Sequence, residues 1–421
     1  MRRLVAVVAG GLLWLSCVAF LPQQAQAALE VEVSGRVAFT AVWGNIIFPN
    51  NNTFQAQDVA GGSSSSTSPL SLVNPARDHD QFSIDASRSR IQIDVKDEVP
   101  GVKLAARIQG DFATTDGSAT TSNSRHFRLR LAYAQGTTQQ GFTLRAGQVR
   151  SMLAEFADNV IGGVGVSGAL NENDSWAQLQ SRQPALQLAW IGKIAQGDLS
   201  LGLGVEKSSY NNLGSTAVAE DQGEGQDIPL FTAGVRYRSP LFAVFARGAG
   251  GRAKVILAAG NSVSQDVWLG AIGFDVTPIA ILRIYGQYWY SDGLSRVNGT
   301  FANGALCSVA VECSVNSLVN VVSQGYHAGV QLLPTKDWEL NAFWQWVQAD
   351  PSFVKAQATG AALTTLQNTT LRKAQAFNAN FIYKFWTRWD TGIEYQHAWL
   401  DSFGQSDKQA DFVYTRVRFY F

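Results

Sequence analysis

Beyond Leu21 the chain has no run of about 18 apolar residues, the length a helix needs to cross a bilayer, so no transmembrane helix is encoded there. Neither sign of charge dominates, with 33 Lys+Arg against 33 Asp+Glu. Bulk charge therefore excludes a chain that binds nucleic acid through its overall field. Helical periodicity is scarce, and no interior linker divides the chain. Cys-x-x-Cys-His does not occur, which excludes covalently attached haem. The glycine spacings stand in no strand-to-helix context, so no nucleotide site is implied. Cysteine is rare: Cys17, Cys307 and Cys313 are all there is.

What is present starts with a leader. Met1-Arg2-Arg3 is a positive segment, and Leu4 to Leu21 is an apolar core broken by Gly10, Gly11 and Ser16. Ala25-Gln26-Ala27 fits a small-x-small cleavage site, so residues 1–27 read as a secretory signal and 28–421 as one domain. An N-terminal membrane anchor is the alternative, opposed by Pro22-Gln23-Gln24 directly after the apolar run. A lipoprotein reading on Leu15-Ser16-Cys17 is opposed by Trp14 and by the apolar run continuing past the cysteine. Loss of Arg2 and Arg3 leaves 31 basic and 33 acidic residues, a net charge of −2. Cys17 leaves with the leader. Cys307 and Cys313, close together in an exported chain, are expected to form a loop disulfide. Metal binding is the alternative, but Glu312 is the only charged residue between them and no histidine is near.

The remaining signal is period-2 alternation, as strands require. Strands are expected at 29–43, 82–96, 101–112, 124–136, 141–150, 183–194, 198–208, 228–239, 241–250, 265–276, 280–291, 322–333, 337–349, 370–386, 388–399 and 410–421. That makes about 16, an even number, as a closed single-chain barrel with both termini on one side needs. Every second connection is a short turn, such as Asp97-Glu98-Val99-Pro100 or Ser239-Pro240. The others are long: 44–81, 113–123, 151–182, 209–227, 251–264, 292–321, 350–369 and 400–409. Short turns on one side and long loops on the other is the asymmetry of a transmembrane β-barrel.

The faces sort in the same sense. Phe127, Leu129, Leu131 and Tyr133 alternate with Arg128, Arg130, Ala132 and Ala134, and Val102, Leu104, Ala106 and Ile108 alternate with Lys103, Ala105, Arg107 and Gln109. Apolar outside and charged inside implies a watery lumen. Trp338, Trp344, Trp346, Trp386, Trp389 and Trp399 fall at or near strand ends, as an aromatic girdle does. The chain ends with Val413, Thr415, Val417, Phe419 and Phe421 on one parity and Arg416 and Arg418 on the other. This resembles the C-terminal insertion signal of bacterial outer-membrane proteins. Export, a barrel-like end and no anchor helix point to the outer membrane of a Gram-negative cell, with its lipid as the surrounding partner.

Arginine placement is the sharpest functional signal. The inward parity of strands 1 to 5 and 16 carries Arg36, Arg88, Arg90, Arg107, Arg128, Arg130, Arg145, Arg416 and Arg418. All but the last two fall near mid-strand, which makes a patch on one lumen wall. The long third loop, 151–182, carries Glu155, Asp158, Glu172 and Asp174. Folded into the lumen, these acids would face the arginines across a narrow zone that sets selectivity. Guanidinium suits carboxylate and phosphate. The alternative is that the arginines are structural, paired to Asp85, Asp94 and Asp111 on the wall. The histidines, His79, His126, His327 and His397, read as residues of outer loops or outer strand ends. No nucleophile motif follows them, so no enzyme is read and no cofactor or metal is expected.

Arg128-Leu129-Arg130-Leu131-Ala132-Tyr133, then Arg145-Ala146-Gly147-Gln148 and a long loop, resembles trimeric 16-stranded Gram-negative porins, in particular the DcaP-like group associated with dicarboxylate uptake. The likeness spans roughly residues 30–170 and the last strand. It implies a homotrimer contacting through strand 1 and its neighbours, and a passive channel for small anionic solutes such as dicarboxylates. A scaffold barrel sheathing a partner protein, or a loop-mediated adhesin or receptor, stays open beside it.

Overall fold

The computed structural model describes residues 29–45, 81–112, 126–163, 168–170, 177–179, 181–207, 228–256, 262–294, 305–306, 319–320, 322–350, 371–402 and 408–421. The expected signal at 1–27, Glu172, Asp174 and the Cys307–Cys313 pair lie outside these residues. Those described form an all-β barrel of sixteen antiparallel strands. They are β1 (Glu30–Gly44), β2 in two pieces (Gln81–Asp85 and Arg90–Val99), β3 (Val102–Asp111), β4 (Arg128–Thr138), β5 (Phe142–Arg150), β6 (Arg182–Ile194), β7 (Gly197–Glu206) and β8 (Leu230–Arg238). There follow β9 (Phe242–Ile256), β10 (Ser262–Ile279), β11 (Leu282–Asp292), β12 (Val322–Leu332), β13 (Trp338–Ala349), β14 (Leu371–Phe385), β15 (Trp389–Ser402) and β16 (Lys408–Tyr420). A two-residue ladder, Ala305–Leu306 with Val319–Asn320, lies in the connection after β11.

The barrel closes where the sequence reading placed closure. β16 pairs with β1 from Phe412 opposite Gly44 to Tyr420 opposite Arg36. Phe421 then exchanges both backbone hydrogen bonds with Gly35, at 3.0 and 3.2 Å. A side chain at position 35 would strike the Phe421 ring and the Arg90 carbonyl. Glycine there lets the terminal aromatic lie flat over the seam.

The exterior is apolar. Val37, Phe39, Leu129, Leu144, Leu188, Leu203, Phe231, Ile272 and Ile393 are exposed, while their strand neighbours of opposite parity point inward. Rings in mutual contact mark both ends of this band. On the short-turn side a chain of contacts runs Trp338–Tyr383–Phe385–Trp389–Phe419, with Trp386 80 % exposed at the turn. On the long-loop side lie Tyr326–Trp346 and Trp344–Trp399. An apolar band between two aromatic belts is the exterior of a bilayer-spanning barrel.

Three local expectations are corrected. The connection expected at 251–264 is the tip of a long hairpin: β9 and β10 stay paired up to Ile256 opposite Ser262. Within the expected loop, Arg252 meets Asp266 across that ladder at 2.8 Å. The expected strand 82–96 is interrupted at 86–89 by a tight turn. The Asp85 carboxylate accepts from the Ser87 backbone N–H (2.6 Å) and hydroxyl (2.5 Å), and the Ser89 N–H bonds to the Ala86 carbonyl. Arg88 therefore sits in a turn, where alternation does not apply. Third, the β3–β4 register slips between Gln109 and Gly110, whose partners are Leu131 and Leu129. Arg130 is the extra residue of a β-bulge. Beyond it parity flips, so Leu131, expected outside, is only 1 % exposed and Tyr133 receives the Arg145 guanidinium over its ring.

Candidate functional site: the lumen wall and the third loop

Cross-strand register builds the site. Arg36 lies opposite Arg90, Arg90 opposite Asp111, and Asp111 opposite Arg128, in one row across β1 to β4. Like charges directly opposed are destabilising, and the wall answers with carboxylates. Asp111 accepts from Arg128 Nε and Nη2 (2.9 and 3.1 Å) and from Arg130. Asp94 accepts from Arg107 Nε and Nη2 (2.6 and 3.2 Å). Amides link the two centres: Gln92 donates to Asp94, Gln109 to Gln92, and Arg130 Nε to Gln109. Arg128 and Arg130, two residues apart on the inward parity, bring both guanidiniums to one carboxylate.

Exposure divides the expected arginines. Arg36, Arg88, Arg130, Arg145 and Arg416 are buried. Arg107, Arg128, Arg90 and Arg418 are partly exposed, the Arg128 side chain at 36 % against 27 % for Arg107 and 14 % for Arg418. Arg416 and Arg418 form a separate cluster near the short-turn end, where Asp390 accepts from both and from the Tyr420 hydroxyl. Arg36 donates to the Arg88 carbonyl at 3.3 Å. Asp94 and Asp111 are wall partners of these arginines, while Asp85 is used by the turn at Ser87 instead.

The described parts of the third loop lie inside the barrel. Met152, Val160 and Ile161 pack with Ala189 of β6 into a small apolar cluster. They fit because Gly202 and Gly234, paired across β7 and β8, leave the wall flat: an added Cβ would meet Ile161 and Met152 at 202, and Ile161 at 234. The Asn159 amide donates to the carbonyls of Ser151, Met152 and Ala154 and folds the loop root on itself. Arg236 donates to the Ile161 carbonyl, and Arg247 to those of Ala154 and Gly162. Further along, Trp289 Nε1 donates to the Ala177 carbonyl (2.8 Å), the Gly168 N–H to the Tyr285 hydroxyl (2.9 Å), and the Leu170 N–H to Glu394 (2.7 Å).

The two described loop acids, Glu155 and Asp158, diverge. Asp158 approaches the arginine side, accepting from Arg150 at 3.2 Å, while its carbonyl accepts from Arg145 at 2.7 Å. Glu155 turns away. It is buried against β12, 3.2 Å from His327 Nε2, and accepts the Leu179 N–H. This also corrects the placement of His327, which is an inward residue of the wall. His397, near the outer end of β15, pairs with Asp411 at 2.7 Å.

Several residues were missed. Arg236 and Arg247 obey the same inward alternation but lie outside the strands searched. Arg150 and Arg182, opposite each other at the strand ends, fall where alternation loses meaning. Arg182 stands within electrostatic reach of Arg150, Arg130, Arg128 and Arg90. Glu206 and Glu394, buried inward carboxylates of β7 and β15, could have been found as acids on the inward parity. No group of three or more His, Cys, Asp and Glu among the described residues forms a metal centre.

No family model matches the chain, and no curated protein is similar to it in sequence. Solved structures are similar in fold. The outer membrane channel DcaP of Acinetobacter baumannii has 18% identity and a TM-score of 0.68, over 94% of this chain and 99% of that one. An anion-selective porin from Comamonas acidovorans has 11% identity and a TM-score of 0.56, over 94% and 100%. Salmonella typhi OmpF, in complex with daunomycin, has 11% identity and a TM-score of 0.56, over the same shares. The fold is that of 16-stranded porins.

Proposed function

We propose that the chain is an outer-membrane porin: a passive diffusion channel for small hydrophilic solutes that favours anions, with dicarboxylates as the preferred class. The observation that carries this is the row Arg36–Arg90–Asp111–Arg128, in which three guanidiniums share one line with a single carboxylate. Arg130 adds a fourth guanidinium to the same carboxylate. Charge on the described part of this wall is thus net positive beside a loop in which Asp158 is held by Arg150. Guanidiniums presented as a row suit a solute with two carboxylates, each able to take a forked pair of hydrogen bonds.

An in-folded third loop supports a channel over a barrel that sheathes a partner, because the loop takes the space a threaded protein needs. The fold likeness to porins supports a homotrimer meeting through β1 and its neighbours, and the apolar band supports residence among outer-membrane lipids after removal of residues 1–27. Purified protein in a planar bilayer tests the class: stepwise conductance from this chain alone is expected, and silence at all voltages favours a sheath or adhesin. Native mass spectrometry tests the trimer. Liposome swelling with succinate against a neutral solute of equal size tests the preference. Equal swelling removes the dicarboxylate part of the reading and leaves the channel intact.

A further inference from the structure

Across the barrel from its root, the third loop meets Glu394 at Leu170. This carboxylate is fully buried on the inward face of β15 and receives three N–H donors: Leu170 of the loop at 2.7 Å, and Asn380 at 2.7 Å and Asn378 at 3.0 Å from β14. Asn380 reaches on to the Gly168 carbonyl at 2.5 Å and accepts from Asn341 at 2.8 Å. The loop root has a matching device on the other side of the barrel. Glu206 of β7 accepts from the Met152 N–H at 2.8 Å, and from Gln183, Gln187 and Thr232. Each carboxylate thus collects donors only, one of them a loop peptide.

We infer that Glu394 is a positioning residue of the channel, whose ionised carboxylate latches the far end of the third loop to the wall, so that acid loosens the loop and changes the passage it borders. This rests on the channel reading only for its consequence, not for the latch itself. A carboxylate can satisfy three donors; a protonated acid or an amide turns a donor of its own toward them and leaves at least one unpaired. Leaving buried donors unmatched costs more than the bond itself contributes. The latch is therefore complete where Glu394 is ionised and weakens as pH falls. Among the described residues, Arg416 on β16 and the Tyr285 hydroxyl on β11 stand within electrostatic reach. Arg416 favours the ionised form and is itself held by Asp390. Glu206 and the Glu155–His327 contact keep the loop root and middle attached while the far end is free.

The test uses the full chain in detergent and in bilayers. Hydrogen–deuterium exchange of the segment containing Leu170 is compared for wild type and Glu394→Gln. The glutamine variant keeps shape and volume but not the charge. At neutral pH, Leu170 exchange in Glu394→Gln is expected about tenfold faster, the equilibrium worth of one hydrogen bond, while strand amides stay protected. In bilayers, lowering the pH from about 7 to about 4, across the ordinary carboxylate range, is expected to raise open-channel current noise in wild type. The variant should show that noise already at neutral pH and lose the pH dependence. Unchanged Leu170 exchange overturns the latch. Faster exchange with an unaltered pH profile overturns its link to the passage. A silent wild type refutes the channel reading and leaves the exchange result to decide the latch alone.

Discussion

On β2 to β4 guanidiniums meet side-chain carboxylates across neighbouring strands; on β7 to β9 and β11 to β15 arginines, amides and carboxylates meet the backbone of the third loop. Both regions hold inward polar groups. The difference lies in what covers them. Where chain covers the wall, side chains match peptide N–H and C=O groups, and the charge of Arg247 or Glu394 goes into holding a loop. Where no described chain covers it, side chains match each other and part of the charge stays accessible, as at Arg107 and Arg128. One barrel thus has a wall that grips and a wall that faces the passage.

The comparison is broken most severely at Asp111. Asp111→Ala strands Arg128 and Arg130, the latter 2 % exposed, and removing one partner of a buried ion pair costs about 3–5 kcal/mol. The unfolding midpoint in urea, read by electrophoretic mobility of the folded barrel, should fall markedly. A midpoint within error of wild type would mean that the arginines do not need that carboxylate. On the gripping side, Gly202→Val pushes a side chain into Met152 and Ile161. Overpacking of this kind costs about 1–3 kcal/mol, and the loop root is displaced into the lumen. Single-channel conductance should drop; an unchanged value would place the loop root elsewhere. The smallest effect belongs to neither wall. Lys193 and Asp198 pair at 2.7 Å at an exposed turn, with the lysine 82 % exposed. Lys193→Ala should alter stability by no more than ~0.5 kcal/mol, and a larger loss would show that exposed pairs matter in this barrel.

Much of this was legible in the sequence. Alternation and turn spacing gave sixteen strands, the closing β16 and the inward arginines of β1 to β5, because a barrel in lipid must keep its outer parity apolar. Alternation failed where one residue was added. The bulge at Arg130 turned Leu131 and Tyr133 inward, and the turn at Ala86–Ser89 took Arg88 out of the strand pattern. Neither leaves a mark in residue type: Arg-Leu-Arg-Leu reads as four alternating positions. The length of the third loop suggested that it enters the lumen, but not what receives it. Gly202 and Gly234 become neighbours only through the β7–β8 register, and Glu394 meets Leu170 across 224 residues. Glu155 looked like Asp158 in sequence, and only the buried His327 separates their directions.

The central claim is that the wall of β1 to β4 presents net positive charge to permeating ions. The reversal potential of single channels under a potassium chloride gradient measures it most directly, in wild type and in Arg128→Gln. Arg128 is the better probe than Arg130, since its side chain is partly exposed. In about 0.01 M salt, where screening extends over ~30 Å, one unit charge at ~8 Å changes the local concentration of a monovalent ion about twofold. The account predicts a chloride preference in wild type that shrinks by about fourfold in the permeability ratio on losing Arg128, anions falling and cations rising together. A wild-type channel that prefers potassium, or a preference untouched by Arg128→Gln, would contradict it.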